Sequence, residues 1–281
     1  MTVDANENRT DENAAYVLGH SDRELARLER QAAFFGDMTR DGLVRAGIAP
    51  GMRVLDLGCG VGDVSSIAAD LVGPKGQVVG IDISEDALVI ATRRMHAAGH
   101  DHVRFVHSTI EEFADYGDFD AVIGRFILIH VPDPAALLSL LAQRVHSGTI
   151  IAFIEMDVGT ATALPPLPLM ERCVNWIIEV YRRAGRESEM GSKLFAAFRS
   201  AGLTPAMAGF TRIASEGDQD GFAFLTESVR SMLPAMDKLG IARPEDVAID
   251  TLRERLVAEA AGGSHCIFYP RLIAAWAKTV A

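Results

Sequence analysis

A glycine-rich turn that directly follows a short apolar run constrains this chain more than any other feature. Residues 54–62 read Val-Leu-Asp-Leu-Gly-Cys-Gly-Val-Gly, and a helical stretch follows at 64–72. Glycine lets the backbone turn sharply and puts no side chain between the turn and a ligand, and the first N–H groups of a helix lack partners. A strand, a bare loop and a helix in this order predict an α/β fold that binds a nucleotide-type ligand through backbone atoms.

Apolar runs and helical stretches alternate between residues 51 and 157. Runs rich in Val and Ile predict five strands, at 52–57, 77–83, 103–106, 119–125 and 149–156, and helical stretches lie between them at 64–72, 85–98 and 134–145. The runs lack the strict polar alternation of a half-exposed sheet, as expected for strands that are covered on both faces. We therefore expect a buried parallel sheet with right-handed helical crossovers.

The segments before and after this alternating region differ from it in composition. A polar, acid-rich tail precedes a helical pattern that ends before the Pro50-Gly51 turn, and a proline-rich connector at 164–168 begins the C-terminal part. Helices are expected there at 170–183, 192–201, 222–239 and 245–261, a strand at 206–213, and an extended run at 266–280 that Pro270 breaks. The sequence thus predicts a disordered tail at 1–13, a helical leader at 14–50, a ligand-binding core at 51–157, and helical cap insertions with closing strands of the same sheet at 158–281.

The composition argues against several classes of protein. Hydrophobic residues make up 49% of the 281 residues and charged residues 23%, which is enough apolar material for a buried core. The formal net charge of −11 repels phosphate backbones and anionic lipids, so neither nucleic acid nor membrane is an expected partner. Three widely spaced cysteines and a polar start favour a cytoplasmic location, and whether the chain is a monomer or a homodimer stays open. His100-Asp101-His102 lacks a third ligand at a suitable spacing, so no metal site is expected.

The second predicted strand ends in an acid that bears on the choice of ligand. Asp82 closes the run Val-Val-Gly-Ile-Asp at 78–82. An acid at this place accepts hydrogen bonds from both ribose hydroxyls and repels a 2′-phosphate. A dinucleotide fingerprint needs its third glycine at 63, where this chain has Asp63. NAD and NADP are therefore disfavoured, although glycine spacing and one acid do not by themselves separate NAD from another adenosine cofactor.

Four motifs together resemble a known family. VLDLGCGVG at 54–62, GIDIS at 80–84, FDAVIGRF at 119–126 and LIHVPDP at 128–134 are similar to the class I S-adenosylmethionine-dependent methyltransferases, above all to the small-molecule branch of ubiquinone and menaquinone biosynthesis. The resemblance covers residues 14–157 well and the rest loosely. It implies a Rossmann-like, doubly wound, mostly parallel sheet of seven strands, with a helical leader and helical insertions after strand 5 and before the last strand. It also implies S-adenosyl-L-methionine as cofactor and S-adenosyl-L-homocysteine as its product.

The resemblance also implies roles for individual residues in cofactor binding. Gly58 and Gly60 would hold the methionine end, Asp82 the ribose, and Ile83 would pack on the adenine. Two leader residues, Tyr16 and Gln31, match positions that fold over the cofactor in relatives. The alternative for Tyr16 is packing at the sheet edge, and for Gln31 a solvated helix position. Arg125, at the end of the fourth strand, is expected to contact the edge of the cofactor through its backbone.

The loop after the third strand departs from the family pattern. Relatives usually have Gly-Asp-Ala there, with the aspartate reaching the adenine amino group, whereas this chain has Ser108-Thr109-Ile110. A threonine hydroxyl can still accept one hydrogen bond from that amino group, and the backbone N–H of Ile110 can still meet the ring. We expect Thr109 and Ile110 to retain adenine binding, with a neutral contact in place of a charged one.

Methyl transfer to a small, partly apolar metabolite, for example a natural-product intermediate, is the implied activity. The protein must mainly align an acceptor atom about 3 Å from the methyl group. A general base would help an acidic hydroxyl or carbon, but a neutral amine would not need one before transfer. His130 and Glu155, near the ends of the fourth and fifth strands, are the candidate catalytic residues. The structural alternatives are that His130 caps backbone groups and that Glu155 pairs with a neighbouring arginine.

The region at 165–262 is where the acceptor should be selected. Its aromatic and flexible apolar residues predict a hydrophobic pocket, with core packing or a dimer interface as the alternatives; they are Trp176, Tyr181, Phe195, Phe222, Phe224 and Met232. Other functions also stay open at this point. They are a cyclase or isomerase that binds the cofactor without methylating, a NAD-dependent oxidoreductase, and a non-catalytic partner subunit.

Overall fold

A seven-stranded sheet lies at the centre of the computed structural model, which describes residues 22–215 and 217–280 and, for residues 22–33, the backbone alone. Five of its strands are parallel: β1 Arg53–Leu57, β2 Gln77–Asp82, β3 Val103–His107, β4 Ala121–Arg125 and β5 Ile150–Asp157. Two more follow late in the chain, β7 Ala206–Phe210 and β10 Arg271–Lys278. The order across the sheet is β3-β2-β1-β4-β5-β10-β7, and β10 runs antiparallel to both neighbours. The predicted seven-stranded, mostly parallel sheet is confirmed.

The register brings the carboxyl ends of the parallel strands together at one edge of the sheet. Leu57 of β1 lies opposite Ile81 of β2 on one side and opposite Gly124 of β4 on the other. The loop after β1 therefore lies between the ends of β2 and β4, which carry Asp82 and Arg125. Open α/β sheets bind their ligands at this edge.

Helices cover both faces of the sheet because alternate strand residues point to opposite sides. Val54 belongs to the apolar core on one face, and its neighbour Leu55 to the core on the other. Helices α1 Asp22–Ala46 and α2 Asp63–Val72 contribute to the first core, and α4 Pro134–Arg144 and α6 Met190–Ser200 contribute to the second. This two-sided covering confirms the doubly wound architecture.

Capping residues define where the helices near the ligand edge begin. Helix α3, Glu85–Ala97, follows Ser84, whose Oγ accepts a hydrogen bond from the N–H of Ala87 at 3.3 Å. Helix α4 follows Asp133, whose Oδ1 accepts from the N–H of Ala136 at 3.0 Å. Such side chains satisfy N–H groups that the first helical turn leaves unpaired. The chain therefore leaves each strand, turns and enters a helix within a few residues.

The C-terminal part adds a helical cap and a second, smaller sheet. The cap helices are α5 Pro168–Arg183, α7 Gln219–Lys238, α8 Pro244–Val247 and α9 Leu252–Ala260. The smaller sheet is antiparallel, and its strands in spatial order are β6 Thr162–Leu164, β9 Cys266–Phe268 and β8 Ile213–Ser215. Because the strands of this sheet are only three residues long, no periodic pattern in the sequence predicts them.

Three expected elements of this part are wrong in detail. The strand expected at 206–213 is divided into β7 and β8, which join different sheets. The run at 266–280 is interrupted at Pro270, as the sequence predicts, but only β10 joins the large sheet, and β9 joins the small one. The helix expected at 245–261 is interrupted at Ala248, whose φ of 45° is left-handed and incompatible with a continuous α-helix.

Some sequence predictions concern residues beyond this description. The tail predicted at 1–13 and the cofactor role predicted for Tyr16 lie outside the described residues, and so does the side chain of Gln31. Among the helices that are described, none combines the length and the apolar character needed to cross a bilayer.

Candidate functional site

A cavity of about 510 Å³ lies at the carboxyl ends of the parallel strands. On one side, here called the cofactor side, it is lined by the loop after β1 and by the ends of β2 and β4. On the other, called the cap side, it is lined by side chains of α5 and α7 and by Tyr269 and Pro270. The volume suits a metabolite-sized ligand. The two sides join in one space, so groups bound to each can meet.

Two glycines of the loop after β1 have left-handed backbone conformations for different reasons. A Cβ on Gly58, with φ of +60°, would lie 2.1 Å from Cδ1 of Ile127, so packing excludes a side chain there. A Cβ on Gly60, with φ of +53°, would meet no heavy atom within 4 Å. Because Gly60 lines the cavity, the space left by its missing side chain is part of the ligand site.

The Asp82 carboxylate is held in a fixed orientation at the end of β2. Its Oδ2 accepts a hydrogen bond from the N–H of Gly60 at 2.8 Å, and its Oδ1 accepts from the N–H of Ser84 at 2.9 Å. Each carboxylate oxygen can accept more than one bond, so both can still receive a hydroxyl proton from a ligand in the cavity. This geometry fits the pair of ribose hydroxyls that the sequence predicts for Asp82.

The wall beyond Asp82 is apolar and suits a flat ring. Ile83 is 62% exposed although it is a large hydrophobic residue, and it lines the cavity together with Ser108 and Ile110. The hydroxyl of Thr109 is occupied by Glu112: it accepts from the N–H of that residue and donates to its Oε2, both at 3.1 Å. The Thr109 hydroxyl is therefore already engaged within the protein, and the adenine contacts of Thr109, Ile83 and Ile110 stay predictions.

Two ionisable side chains adjoin the cofactor side, one fully buried and one partly buried. Asp56, in the middle of β1, is 1% exposed and accepts a hydrogen bond from Ser65 Oγ at 2.6 Å, and burial raises its pKa to about 7. Arg125 donates from Nη1 to Thr39 Oγ1 on α1 at 3.0 Å, and burial lowers its pKa. Sequence reasoning assigned Arg125 only a backbone contact and missed Asp56. Asp56 could have been noticed in the sequence, because an acid within an apolar strand must find a hydrogen-bond or ionic partner.

His130 lines the cavity, close to the side chain of Arg186. Desolvation of the imidazole and the positive charge of Arg186 lower the pKa of His130 to about 4. The imidazole is therefore neutral at pH 7. Arg186 also donates a hydrogen bond to the backbone carbonyl of His130. The predicted catalytic role of His130 stays a prediction, and the geometry places its ring where a ligand could meet it.

Glu155 is fully buried and holds backbone rather than reaching the cavity, whose lining includes its neighbour Met156. Its Oε1 accepts hydrogen bonds from the N–H groups of Ile127 and Leu128 at 2.8 and 2.7 Å. Burial raises its pKa to about 8, and these hydrogen bonds oppose the shift. The carboxylate thus stabilises the turn after β4. No arginine pairs with it among the described residues, and its predicted catalytic role stays a prediction that this geometry does not favour.

The cap side is built mainly from apolar helix side chains. Of the six residues proposed for acceptor selection, Tyr181, Phe224 and Met232 line the cavity. The other three lie elsewhere: Phe222 is fully buried in the core, Trp176 packs partly buried against it, and Phe195 is 53% exposed. Ser228 and Ser231 add hydroxyl groups to the α7 face of the cavity. The helical spacing of the sequence did not separate lining residues from core residues.

The cofactor side fits an adenosine that carries an extended polar arm. The open space at Gly60, the oriented carboxylate of Asp82 and the apolar surface of Ile83 provide for the arm, the ribose and the ring respectively. Within the described part of the chain, no cluster of three or more His, Cys, Asp or Glu side chains is arranged to hold a metal ion.

Comparisons with known proteins agree with this geometry. A sequence profile described as a methyltransferase domain matches residues 48–189, about half of the chain. The ubiquinone biosynthesis O-methyltransferase of Aromatoleum aromaticum is 41% identical over 114 residues, which are 40% of this chain and 47% of that protein. The demethylmenaquinone methyltransferase of Bacillus cytotoxicus is 34% identical over 115 residues, 40% of this chain and 48% of that protein. The chain spans about half the length of these curated relatives.

A solved structure shows the same fold over most of the chain. The phosphoethanolamine N-methyltransferase 2 of Haemonchus contortus, in complex with phosphomonomethylethanolamine and S-adenosylhomocysteine, has a TM-score of 0.53 and 18% identity, and the match covers 87% of this chain and 53% of that one. The resemblance seen in the four sequence motifs is thereby confirmed, together with the fold. The chain belongs to the methyltransferase domain family, whose cofactor is S-adenosyl-L-methionine.

Proposed function

We propose that this protein transfers the methyl group of S-adenosyl-L-methionine to a small, partly apolar metabolite. The observation that carries the proposal is the single cavity in which the cofactor side and the cap side meet. In this proposal, residues 51–157 hold the cofactor, and residues 158–281 supply most of the surface that contacts the acceptor. The cofactor supplies an electrophilic methyl group when it is bound.

Positioning is the main contribution of the chain to such a reaction. Aligning two reactants in one site removes much of the entropic barrier to their encounter. The hydrogen bonds of Asp82 and the bare backbone at Gly60 would orient one reactant, and the apolar surfaces of α5 and α7 would orient the other and exclude water. The polar groups on the cap side, including Tyr181 and Ser228, limit how an acceptor can lie.

The titration of the candidate bases bears on the kind of acceptor. A general base is efficient when its pKa lies near the working pH, and the pKa of His130 is lowered to about 4. Glu155, with its pKa raised to about 8, is engaged with backbone N–H groups outside the cavity lining. The acceptor therefore supplies its own nucleophile, either as an ionised hydroxyl or as a neutral amine.

The names of the relatives suggest the first acceptors to test. One is a ubiquinone biosynthesis O-methyltransferase and the other a demethylmenaquinone methyltransferase. Ring compounds with acidic hydroxyl groups and apolar substituents would suit the apolar cap side and the neutral His130. We therefore propose aromatic hydroxyl compounds as the acceptor class. The site does not favour NAD, because Asp63 stands where a dinucleotide-binding fingerprint has its third glycine. Asp63 also forms an ion pair with Arg94 at 2.7 Å.

Incubation of the protein with methyl-labelled cofactor and a panel of hydroxylated aromatic compounds tests the proposal. We expect label in an acceptor, with formation of an equal amount of S-adenosylhomocysteine. An altered product without label would support a non-methylating cyclase or isomerase instead. Calorimetry that detects no binding of S-adenosylhomocysteine would contradict the cofactor assignment itself.

A further inference from the structure

The guanidinium of Arg125 is a partly buried positive charge on the wall of the cavity. Its one hydrogen bond to a described side chain is donated from Nη1 to Thr39 Oγ1 at 3.0 Å. Among the ion pairs of the described residues, none places a carboxylate within 4.0 Å of Arg125. Burying a charge without a counter-ion is costly, so a site of this kind calls for an anion.

The nearest acids do not serve as that anion. Asp56 and Asp63 are close enough to favour the charged form of Arg125. Asp56, however, accepts the hydroxyl proton of Ser65 at 2.6 Å. Asp63 forms an ion pair with Arg94, between Oδ1 and Nη1 at 2.7 Å. Both carboxylates are therefore engaged elsewhere, and the cavity beside Arg125 is open to a ligand.

The strand order tells which part of a ligand reaches Arg125. Strand β1 lies between β2 and β4, so Asp82 and Arg125 sit at strand ends that are two spacings apart, about 10 Å. The Gly60 loop lies between them. A ligand whose ribose is at Asp82 and whose ring is at Ile83 has its other end directed past Gly60 toward Arg125. In the cofactor, that end is an α-amino acid with a carboxylate.

Thr39 holds the guanidinium in place from helix α1. The Thr39 side chain is fully buried, and its hydroxyl donates its only proton to the carbonyl of Phe35 at 2.8 Å. Its oxygen can then only accept from Arg125, which fixes one arm of the guanidinium. The Phe126 ring lies beneath it, with Cζ of Arg125 at 5.3 Å from the ring centroid. The remaining N–H groups are thus pre-oriented for a planar carboxylate.

We propose that the Arg125 side chain binds the carboxylate of the amino-acid end of the cofactor and that Thr39 is its positioning residue. This inference rests on the cofactor assignment of the proposed function and adds a residue role to it. It replaces the backbone contact expected for Arg125 from the sequence with a contact of the side chain. It also gives the leader helix a part in cofactor binding through Thr39, which does not touch the ligand.

Two ligands that differ only at the amino-acid end test the proposal by calorimetry. S-adenosylhomocysteine carries the carboxylate, and 5′-methylthioadenosine keeps the adenosine and the thioether but lacks the amino acid. We expect Arg125→Met to weaken binding of the first ligand by about 10- to 100-fold and to leave the second within about 2-fold. Arg125→Lys should lie between Met and wild type, because it keeps the charge but loses the planar fork.

The pattern of affinities separates this role from a merely structural one. Equal losses for both ligands, or no loss for either, would overturn the proposal, and Arg125→Lys decides the matter if Arg125→Met does not fold. Thr39→Val keeps the shape of the side chain but removes the acceptor oxygen. It should weaken S-adenosylhomocysteine alone, by about 3- to 10-fold; an equal effect on both ligands would contradict the positioning role. If the wild-type protein binds neither ligand, the proposed function fails, not the role of Arg125 alone.

Discussion

The two sides of the cavity are lined by different kinds of chemical group. On the cofactor side, backbone groups and fixed charges at strand ends line the cavity, as in the hydrogen bonds from Gly60 and Ser84 to Asp82. On the cap side, the surface consists of side chains from helices α5 and α7, many of them apolar and flexible, such as Met170 and Met232. The first side depends on backbone conformation, and the second on side-chain shape and volume.

This contrast explains why the cofactor side is easier to recognise in a sequence than the cap side. A left-handed turn against a ligand needs glycine, and a ribose site needs an acid at one place, so few residue types can occupy those positions. A helix face that meets an apolar acceptor can use many combinations of residues of similar volume. The family profile matches residues 48–189, which include all of the cofactor side and α5, and it ends before α7 begins. Substitutions on the two sides should therefore have separable effects on cofactor and on acceptor.

The largest effect on cofactor binding is expected from Gly60→Val. The branched side chain would enter the space that the ligand needs and would occupy a left-handed conformation at φ of +53°. Calorimetry with S-adenosylhomocysteine should show an affinity at least about 100-fold lower. Gly99→Val is a matched control, because Gly99 has φ of +75° and open space around its Cβ position but does not line the cavity. It should lose about 1–2 kcal/mol of unfolding free energy and keep its affinity.

A smaller loss of cofactor affinity is expected for Asp82→Ala. This variant removes the oriented carboxylate but keeps the glycines of the loop. The affinity for S-adenosylhomocysteine should fall by about 1.5–3 kcal/mol, the usual contribution of hydrogen bonds to a charged group. Asp120→Ala is the control, because Asp120 also accepts a backbone N–H, from Arg53 at 2.7 Å, but lies at the start of β4. Unchanged affinity in Asp82→Ala would remove Asp82 from the ribose site.

Glu155→Gln changes a buried side chain that holds the turn after β4. It should alter the pH dependence of the free energy of unfolding. In the wild type, burial raises the pKa of Glu155 from 4.5 to about 8. The folded state then binds more protons than the unfolded state, so the free energy of unfolding falls as the pH rises from about 4.5 to about 8. The variant should show a shallower fall in urea titrations between pH 5 and 8, with the remaining slope coming from Asp56, whose pKa is raised to about 7.

The same variant examines the catalytic prediction for Glu155. A residue that holds the backbone of Ile127 and Leu128 should tolerate glutamine, whose amide oxygen can accept the same bonds. We expect cofactor affinity within a few-fold of wild type. Methyl transfer that is lost while cofactor affinity and folding persist would show instead that the carboxylate itself takes part in the chemistry.

The smallest effect on cofactor binding is expected from Met232→Ala on the cap side. The affinity for S-adenosylhomocysteine should stay within about 2-fold, whereas the KM for an apolar acceptor should rise by about 10-fold through loss of buried contact. Met236→Ala is the matched control, because Met236 lies on the same helix but is fully buried in the core. It should lower stability by about 2–5 kcal/mol and leave the KM unchanged. A fall in cofactor affinity in Met232→Ala would contradict the assignment of cofactor and acceptor to separate sides of the cavity.

Much of the fold could be predicted because its signals are local. The apolar runs at 52–57 and 77–83 correspond to β1 and β2 within one residue at each end, since buried strands between helices need continuous apolar residues. The small sheet could not be predicted, because β6, β8 and β9 are stable only through one another and not through a pattern of their own. The break at Pro270 was visible in the sequence, but the assignment of its two sides to different sheets was not.

For the site, the sequence alone allowed three residues to be predicted at the ligand edge: the glycines at 58 and 60 and the acid that ends the second strand. These requirements belong to single residues and to the turn that each one makes, so they are visible in a one-dimensional pattern. The folded arrangement alone shows that Asp56 is buried, that Thr39 lies 86 positions away from its partner Arg125, and which cap side chains face the cavity. Burial and partnership depend on segments that meet only after folding, and residue spacing along the chain carries no record of that meeting.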